Sequence, residues 1–350
     1  MKEVLPELEV WEKRGERIAT ATVISVRRSA PRPPGSKMAV NELGEIAGSV
    51  SGGCVEGAVV EVARRVLDGE PPRLLSFGIA DADAWEVGLP CGGEIDVWVQ
   101  AYEPGAFQQI AEAEGRAAEV TVIEGASAGA KLLVWPDGQR AGSLGAPELD
   151  DDAARIAQEL IWTEESERRD ALFFDVVAPP PRLILFGAVD VAAAVCRLAR
   201  AAGWRPYVVD PRAAFATQAR FPEAERVIAA WPQQAFDALG GIDAATSIAV
   251  LTHDPKLDDA ALTIALRSPA RFVGAMGSRR AQAARRDRLL EAGFTDDELS
   301  RLAAPLGLDL GAINREETAL SILAEIVAAR HGRDGGRLAH ARGRIHEVPA

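Results

Sequence analysis

Three cysteines in 350 residues are too few, and odd in number, for a disulfide framework, so a reducing compartment is expected. No apolar run approaches the roughly 20 residues that a membrane-spanning helix needs. The first residues, Met1-Lys-Glu-Val-Leu-Pro-Glu-Leu-Glu9, place acids where a secretory leader carries its apolar core. The expectation is a cytoplasmic protein away from membranes. Basic excess is lacking too: the formal net charge of -13 argues against nonspecific binding to nucleic acid or anionic lipid. Zinc-type spacing is absent, since Cys54 and Cys91 lie far apart and Cys196 falls in a helical pattern. No Gly-x-Ser-x-Gly elbow precedes a helix, which leaves serine-hydrolase chemistry without a nucleophile. No repeat of solenoid-like period is evident.

What remains is an ordinary globular composition, 48% hydrophobic and 26% charged, with length for two domains. Pro179-Pro-Pro181 is the best boundary, because consecutive prolines stiffen the chain and cannot continue a helix. It separates a first domain, 1–178, from a second, 182–332, followed by a flexible tail, 333–350. In the first domain, short strand-like runs at 20–26, 37–40, 73–77, 95–99, 120–123 and 131–135 alternate with glycine turns and with helices at 55–67, 107–114 and 150–160. The second has apolar runs at 183–186, 206–209, 248–251 and 272–275, with helical spacing after the first, third and fourth. The fold class is α/β: mixed short strands and helices first, then a Rossmann-like, doubly wound parallel sheet. Asn314 and Glu317 predict a capping box for a helix over 315–330.

The most informative segment is Gly48-Ser-Val-Ser-Gly-Gly-Cys-Val-Glu56, echoed by Leu89-Pro-Cys-Gly-Gly-Glu94. Each sets a Gly-Gly pair beside a cysteine and a glutamate. Glycine lets a ligand approach the main chain closely, and amides at a helix start attract anions. A thiol placed there has its thiolate stabilised. The pattern points to an anionic cofactor; the alternative is a serine-capped turn with two cysteines packed as small apolar residues.

In the second domain, Gly187 ends the first strand and Asp210 the next, at the spacing of a phosphate loop and its ribose-binding acid. The loop itself reads Gly187-Ala-Val-Asp190, with a branched side chain and a negative charge where a pyrophosphate would touch. That argues against NAD(P). Other strand ends carry Thr252-His253-Asp254 and Gly277-Ser278-Arg279, and Ser278 with Arg279 could hold a phosphate. His253 with Asp254, Asp258 and Asp259 is a weak ligand set for a metal, and capping of the next helix suits those acids better.

Together the motifs resemble the xanthine dehydrogenase accessory family, XdhC/CoxI, over nearly the whole chain. The match rests on residues 29–38 (Ser-Ala-Pro-Arg-Pro-Pro-Gly-Ser-Lys-Met), 48–56 and 88–93, then on Asp210-Pro-Arg212, Arg220-Phe-Pro222, residues 251–259, Gly274-Ala-Met-Gly-Ser-Arg279 and residues 305–312. The resemblance implies a maturation factor rather than a metabolic enzyme, with no catalytic residue and no resident metal. It implies binding of molybdenum cofactor as cargo, support of its sulfuration and insertion into a molybdenum hydroxylase apoenzyme such as xanthine dehydrogenase. A cysteine desulfurase as second partner and a homodimer are further implications. The candidate cofactor contacts are Ser51, Gly52, Gly53, Cys54, Glu56, Cys91, Gly92 and Gly93, with Gly187, Asp210, Arg212, His253, Ser278 and Arg279 at the strand ends. Where the family commonly reads Gly-Ala-Gly-His, this chain has Gly187-Ala-Val-Asp190. The alternative is an NAD(P)-dependent oxidoreductase built on the second domain; a third reading makes Cys54 a persulfide carrier.

Overall fold

The computed structural model describes residues 1–28, 32–78 and 93–340. The chain divides into two compact units, Met1–Pro179 and Pro180–Ala350.

The first unit begins with α1 (Leu5–Lys13), β1 (Ile18–Arg27), β2 (Lys37–Asn41), β3 (Ile46–Gly48), α2 (Glu56–Leu67), β4 (Arg73–Phe77) and β5 (Glu94–Ala101). It continues with α3 (Ala106–Glu112), β6 (Ala117–Val122), β7 (Lys131–Val134), β8 (Arg140–Ser143), α4 (Pro147–Thr163), β9 (Glu167–Arg169) and β10 (Leu172–Val177). The strands form two five-stranded sheets, β3-β2-β1-β5-β4 and β8-β7-β6-β10-β9. Every neighbouring pair is antiparallel, so the mixed short strands expected from sequence resolve into hairpins and meanders. Helix α2 buries Val59, Val62, Ala63 and Val66, a stripe at helical spacing, against β1, β2 and β5. Helix α4 does the same for the second sheet with Ala153, Ala157, Leu160 and Ile161.

The second unit alternates strand and helix: β11 (Arg182–Phe186), α5 (Asp190–Ala201), β12 (Arg205–Val209), β13 (Arg226–Ile228), α6 (Pro232–Ala238), β14 (Ser247–Val250), α7 (Pro255–Leu266), β15 (Phe272–Ala275), α8 (Arg279–Glu291), α9 (Asp296–Ser300), β16 (Leu302–Ala303) and α10 (Arg315–Arg330). The sheet is fully parallel in the order β13-β12-β11-β14-β15-β16. Its strands are apolar because helices cover both faces. The order reverses between β11 and β14, the switch point where such sheets place their crevice. Helix α10 starts at Arg315, and both halves of the Asn314–Glu317 capping box are made. Among the residues read as a tail, Leu338–His340 form a 3-10 turn, and 341–350 lie outside the described residues.

Candidate functional site

Strand β3 ends at Gly48, and only glycine fits there. Its φ is +69°, and a Cβ would stand 2.3 Å from the carbonyl oxygen of Lys37 on β2. The chain then bends through 49–55 into α2, pinned from below by the fully buried Val50 and Val55. Gly52 and Gly53 take φ of +80° and +119° at the exposed tip, where a Cβ would meet nothing within 4 Å. Cys54 follows, half-buried against the core of the first sheet.

Glu56 opens α2, and its side chain folds back into this loop. One carboxylate oxygen accepts from the Ser49 hydroxyl (2.6 Å) and the amides of Ser51 (2.9 Å), Gly52 (3.1 Å) and Val50 (3.2 Å). The other accepts from the Ser51 hydroxyl (2.6 Å) and the amides of Gly53 (2.9 Å) and Val55 (3.2 Å). The Ser51 hydroxyl oxygen in turn accepts from the amides of Cys54 and Val55. Burial pushes the Glu56 carboxyl up, but the Ser49 and Ser51 hydroxyls and the loop amides outweigh it and hold the pKa down at about 2. The anion that this helix start attracts is therefore its own. The amides expected to face an anionic guest are taken by Glu56 and Ser51 of the same segment.

Of the second motif, Cys91 and Gly92 lie outside the described residues, and Gly93 is buried just before β5.

In the second unit the polar groups at the switch point are bonded to one another. A Cβ on Gly187 would stand 2.4 Å from the Thr252 Cγ2, so this glycine serves a close approach of strand ends. The Ala188 amide donates to Asp210 (2.9 Å), and the Ala188 carbonyl accepts from Arg220 (3.1 Å). Asp210 is fully buried and also receives the Arg212 amide and two guanidinium nitrogens at 2.9, 2.9 and 2.7 Å. Burial raises its pKa; Arg212 and Ala188 lower it by more. An acid placed by spacing to hold ribose is thus engaged by Arg212, whose guanidinium also lies 4.7 Å from the Phe215 ring centroid. Ser278 caps α8, its hydroxyl accepting from the Ala281 amide, and both Ser278 and Arg279 are exposed, as is His253. Of the acids beside His253, Asp254 alone caps α7, through the Lys256 amide. Asp258 and Asp259 instead pair with Arg285 (2.7 Å) and Arg288 (2.6 Å) of α8, which corrects the capping reading for both. Among the described residues, no group of three or more His, Cys, Asp or Glu side chains gathers as metal ligands would.

Two buried ion pairs escaped sequence reading. Lys37 and Asp175, on β2 and β10, meet at 2.5 Å with both side chains buried, and Lys37 also donates to Thr22. Asp258 and Arg285 form the other, with Thr252 donating to the same carboxylate. The only sequence signal for the first is a lysine inside the Gly35-Ser-Lys-Met38 motif. For the second there was none, since 27 positions separate its partners.

The model described as the XdhC Rossmann domain matches residues 183–326, and that of the XdhC and CoxI family matches 11–78 and 110–171. The chain belongs to the XdhC and CoxI family. Within curated relatives, a probable xanthine dehydrogenase subunit of Bacillus subtilis (strain 168) is 27% identical over 90% of this chain and 94% of its own length. The molybdenum cofactor insertion chaperone PaoD of Escherichia coli (strain K12) is 27% identical over 90% of this chain and 84% of its own. A crystal structure of a xanthine dehydrogenase from Bacillus halodurans shares the fold, with a TM-score of 0.66, 23% identity and coverage of 96% and 97% of the two chains.

Proposed function

We propose that this XdhC/CoxI-family chain binds molybdenum cofactor as cargo and hands it to a molybdenum hydroxylase apoenzyme. Family membership and the relative named as a cofactor insertion chaperone support this role. The observation that carries it is the Cys54 thiol, half-buried beside the exposed, side-chain-free surface of Gly52 and Gly53. A soft thiol suits a molybdenum dithiolene, and two glycines let a flat pterin lie close to the backbone. Cys91, Gly92 and Gly93 are proposed as further cofactor contacts on the strength of the family resemblance alone. The loop amides are engaged by Glu56, so contact with the cargo falls to the Cys54 thiol and the bare backbone of the two glycines. Support of sulfuration, a cysteine desulfurase as sulfur donor, and a homodimer extend the same proposal.

The test is anaerobic incubation of the purified chain with molybdopterin, gel filtration, and fluorescence of the oxidised pterin in the protein fraction. Co-elution is expected, and Cys54→Ser lowers it. Absence of pterin from the protein fraction overturns the proposal.

The strand order of the second unit favours one other reading, an NAD(P)-dependent oxidoreductase. The engagement of Ala188 and Asp210 within the protein weighs against it. Calorimetric titration with NAD(H) and NADP(H) decides between them.

A further inference from the structure

The first unit contains the same arrangement twice. Three strands, a helix and two strands give the order β3-β2-β1-β5-β4, and the next three strands, helix and two strands give β8-β7-β6-β10-β9. Replacing β1 by β6, and so on along the chain, turns one order into the other. Register agrees as well as order. Thr22 stands opposite Lys37 on one side and Trp98 on the other. Thr121 stands opposite Lys131 and Phe173. Met38 faces Gly48, and Leu132 faces Gly142.

Aligned on this register, the two stretches share residues that neither shows alone. Thr22-Val-Ile24 matches Thr121-Val-Ile123, Lys37 matches Lys131, and Gly48-Ser-Val50 matches Gly142-Ser-Leu144. The two glycines do the same work. Both have positive φ, +69° and +89°, and a Cβ on each would strike the carbonyl oxygen of its matched lysine, at 2.3 and 2.4 Å. Val50 and Leu144 are both buried. Eight positions beyond each glycine comes an acid in the first turn of the helix, Glu56 or Asp150. Asp150 accepts the Leu144 amide at 2.7 Å, as Glu56 accepts the Val50 amide at 3.2 Å.

The copies also meet through matched residues. Ile24 and Trp98 of the first pack in one buried cluster with Ile123 and Phe173 of the second. Self-complementary contact of this kind is what a two-fold interface produces, here within one chain. The two stretches matched by the XdhC and CoxI family model, 11–78 and 110–171, fall one in each copy.

We infer that the first unit is a tandem duplication of one module, and that Glu56 and Asp150 are the same position of it. That position is an internal carboxylate that sets the loop entering the helix. Comparing the copies separates the shared part from the part peculiar to the first. Where the second copy has Gly145-Ala-Pro-Glu148, the first has Ser51-Gly-Gly-Cys54. Glu56 is accordingly a positioning residue that acts through Cys54, and is not itself a contact to cargo. What Cys54 touches rests on the proposed function; the geometry of the lock does not.

The experiment uses the full chain and its E56Q, E56D and D150N variants. Labelling of Cys54 by iodoacetamide is followed by peptide mass spectrometry across the neutral-to-alkaline range. In E56Q the loop on either side of Cys54 loses the charged acceptor of the Gly53 and Val55 amides, so the thiol is less shielded and labelling at neutral pH rises about tenfold. D150N leaves the Cys54 profile unchanged. E56D, which keeps the carboxylate on the shorter arm found at position 150, stays within about twofold of the parent chain. A Cys54 profile identical in E56Q and the parent, or moved as far by D150N as by E56Q, overturns the inference. Should E56Q fail to fold, E56D decides: a profile displaced as far as tenfold overturns it. Labelling needs no cargo, so a chain that binds no molybdopterin can still pass. Conversely, loss of pterin binding in Cys54→Ser with an unmoved E56Q profile overturns this inference and leaves the proposed function standing.

Discussion

Ser51 reaches the carboxylate of Glu56 twice, through its hydroxyl at 2.6 Å and its amide at 2.9 Å. Hydrogen bonds to an ionised acceptor are roughly twice as strong as neutral ones, and here several converge on one group. The loop that presents Cys54 is thereby folded around a charge belonging to the chain.

Acid should withdraw the stabilisation that the Glu56 carboxylate supplies. The Glu56 carboxyl sits at about 2 in the folded chain against an ordinary 4.5. A lowered folded pKa means that the unfolded state takes up the proton first. The stabilisation is therefore complete above about pH 5 and is lost as pH falls toward 2, amounting to about 1–2 kcal/mol after discounting for solvent screening at a partly exposed group. Urea midpoints measured across that interval check it. Glu56→Gln shows a lower midpoint at neutral pH and a flatter acid limb.

Gly48→Ala and Gly53→Ala separate close approach from backbone strain. At Gly53 a new Cβ enters open space, so only the positive φ is penalised, by about 1–3 kcal/mol. At Gly48 the Cβ also strikes the Lys37 carbonyl and the Val4 side chain at 2.7 Å. Neither can retreat, since both are in the core, and a loss above about 4 kcal/mol or failure to fold is expected. Denaturation midpoints of the two variants give the comparison.

Arg285→Met should be far more harmful than the double change Arg285→Met with Asp258→Leu. Both partners are buried, at 4% and 2% side-chain exposure, so removing the cation strands a carboxylate that burial already pushes above its usual range. The single variant loses about 3–5 kcal/mol, and the double recovers much of it. A double variant no more stable than the single one would contradict this account.

Cys54 and Cys196 should differ in native reactivity. Cys196 is fully buried in α5, and burial, with Glu223 nearby, pushes its thiol up to about 12. Cys54 is accessible beside two exposed glycines. Alkylation at neutral pH therefore modifies Cys54 at least about a hundredfold faster, since the thiolate is the reacting form. Cys196 catches up only in denaturant, as peptide mass spectrometry will show.

Much of the second unit could be read directly, because its strands are apolar runs covered on both faces and α10 carries a full capping box at Asn314 and Glu317. The start of α2 was equally plain from the apolar stripe after Val55. Strands β8 and β9 were not, because Arg140–Ser143 is wholly exposed and Glu167–Arg169 is charged, so neither shows alternation. At the candidate site, residue types were legible and their partners were not. Glycines at 52 and 53 announce a bend, yet nothing local says that Glu56 will fill it. Asp210 stood at the right spacing for a ribose, but its neighbour Arg212, two positions on, takes the carboxylate first. The duplication stayed hidden because its shared residues are few and only strand register aligns them.

The cluster of Ile24, Trp98, Ile123 and Phe173 has a consequence for any attempt to dissect the chain. Each half of the first unit shields the other's aromatic face, so a fragment ending between α3 and β6 would bare Trp98 to water. Such a piece would be sticky and short-lived, and selection on either half must respect the shape of its sibling.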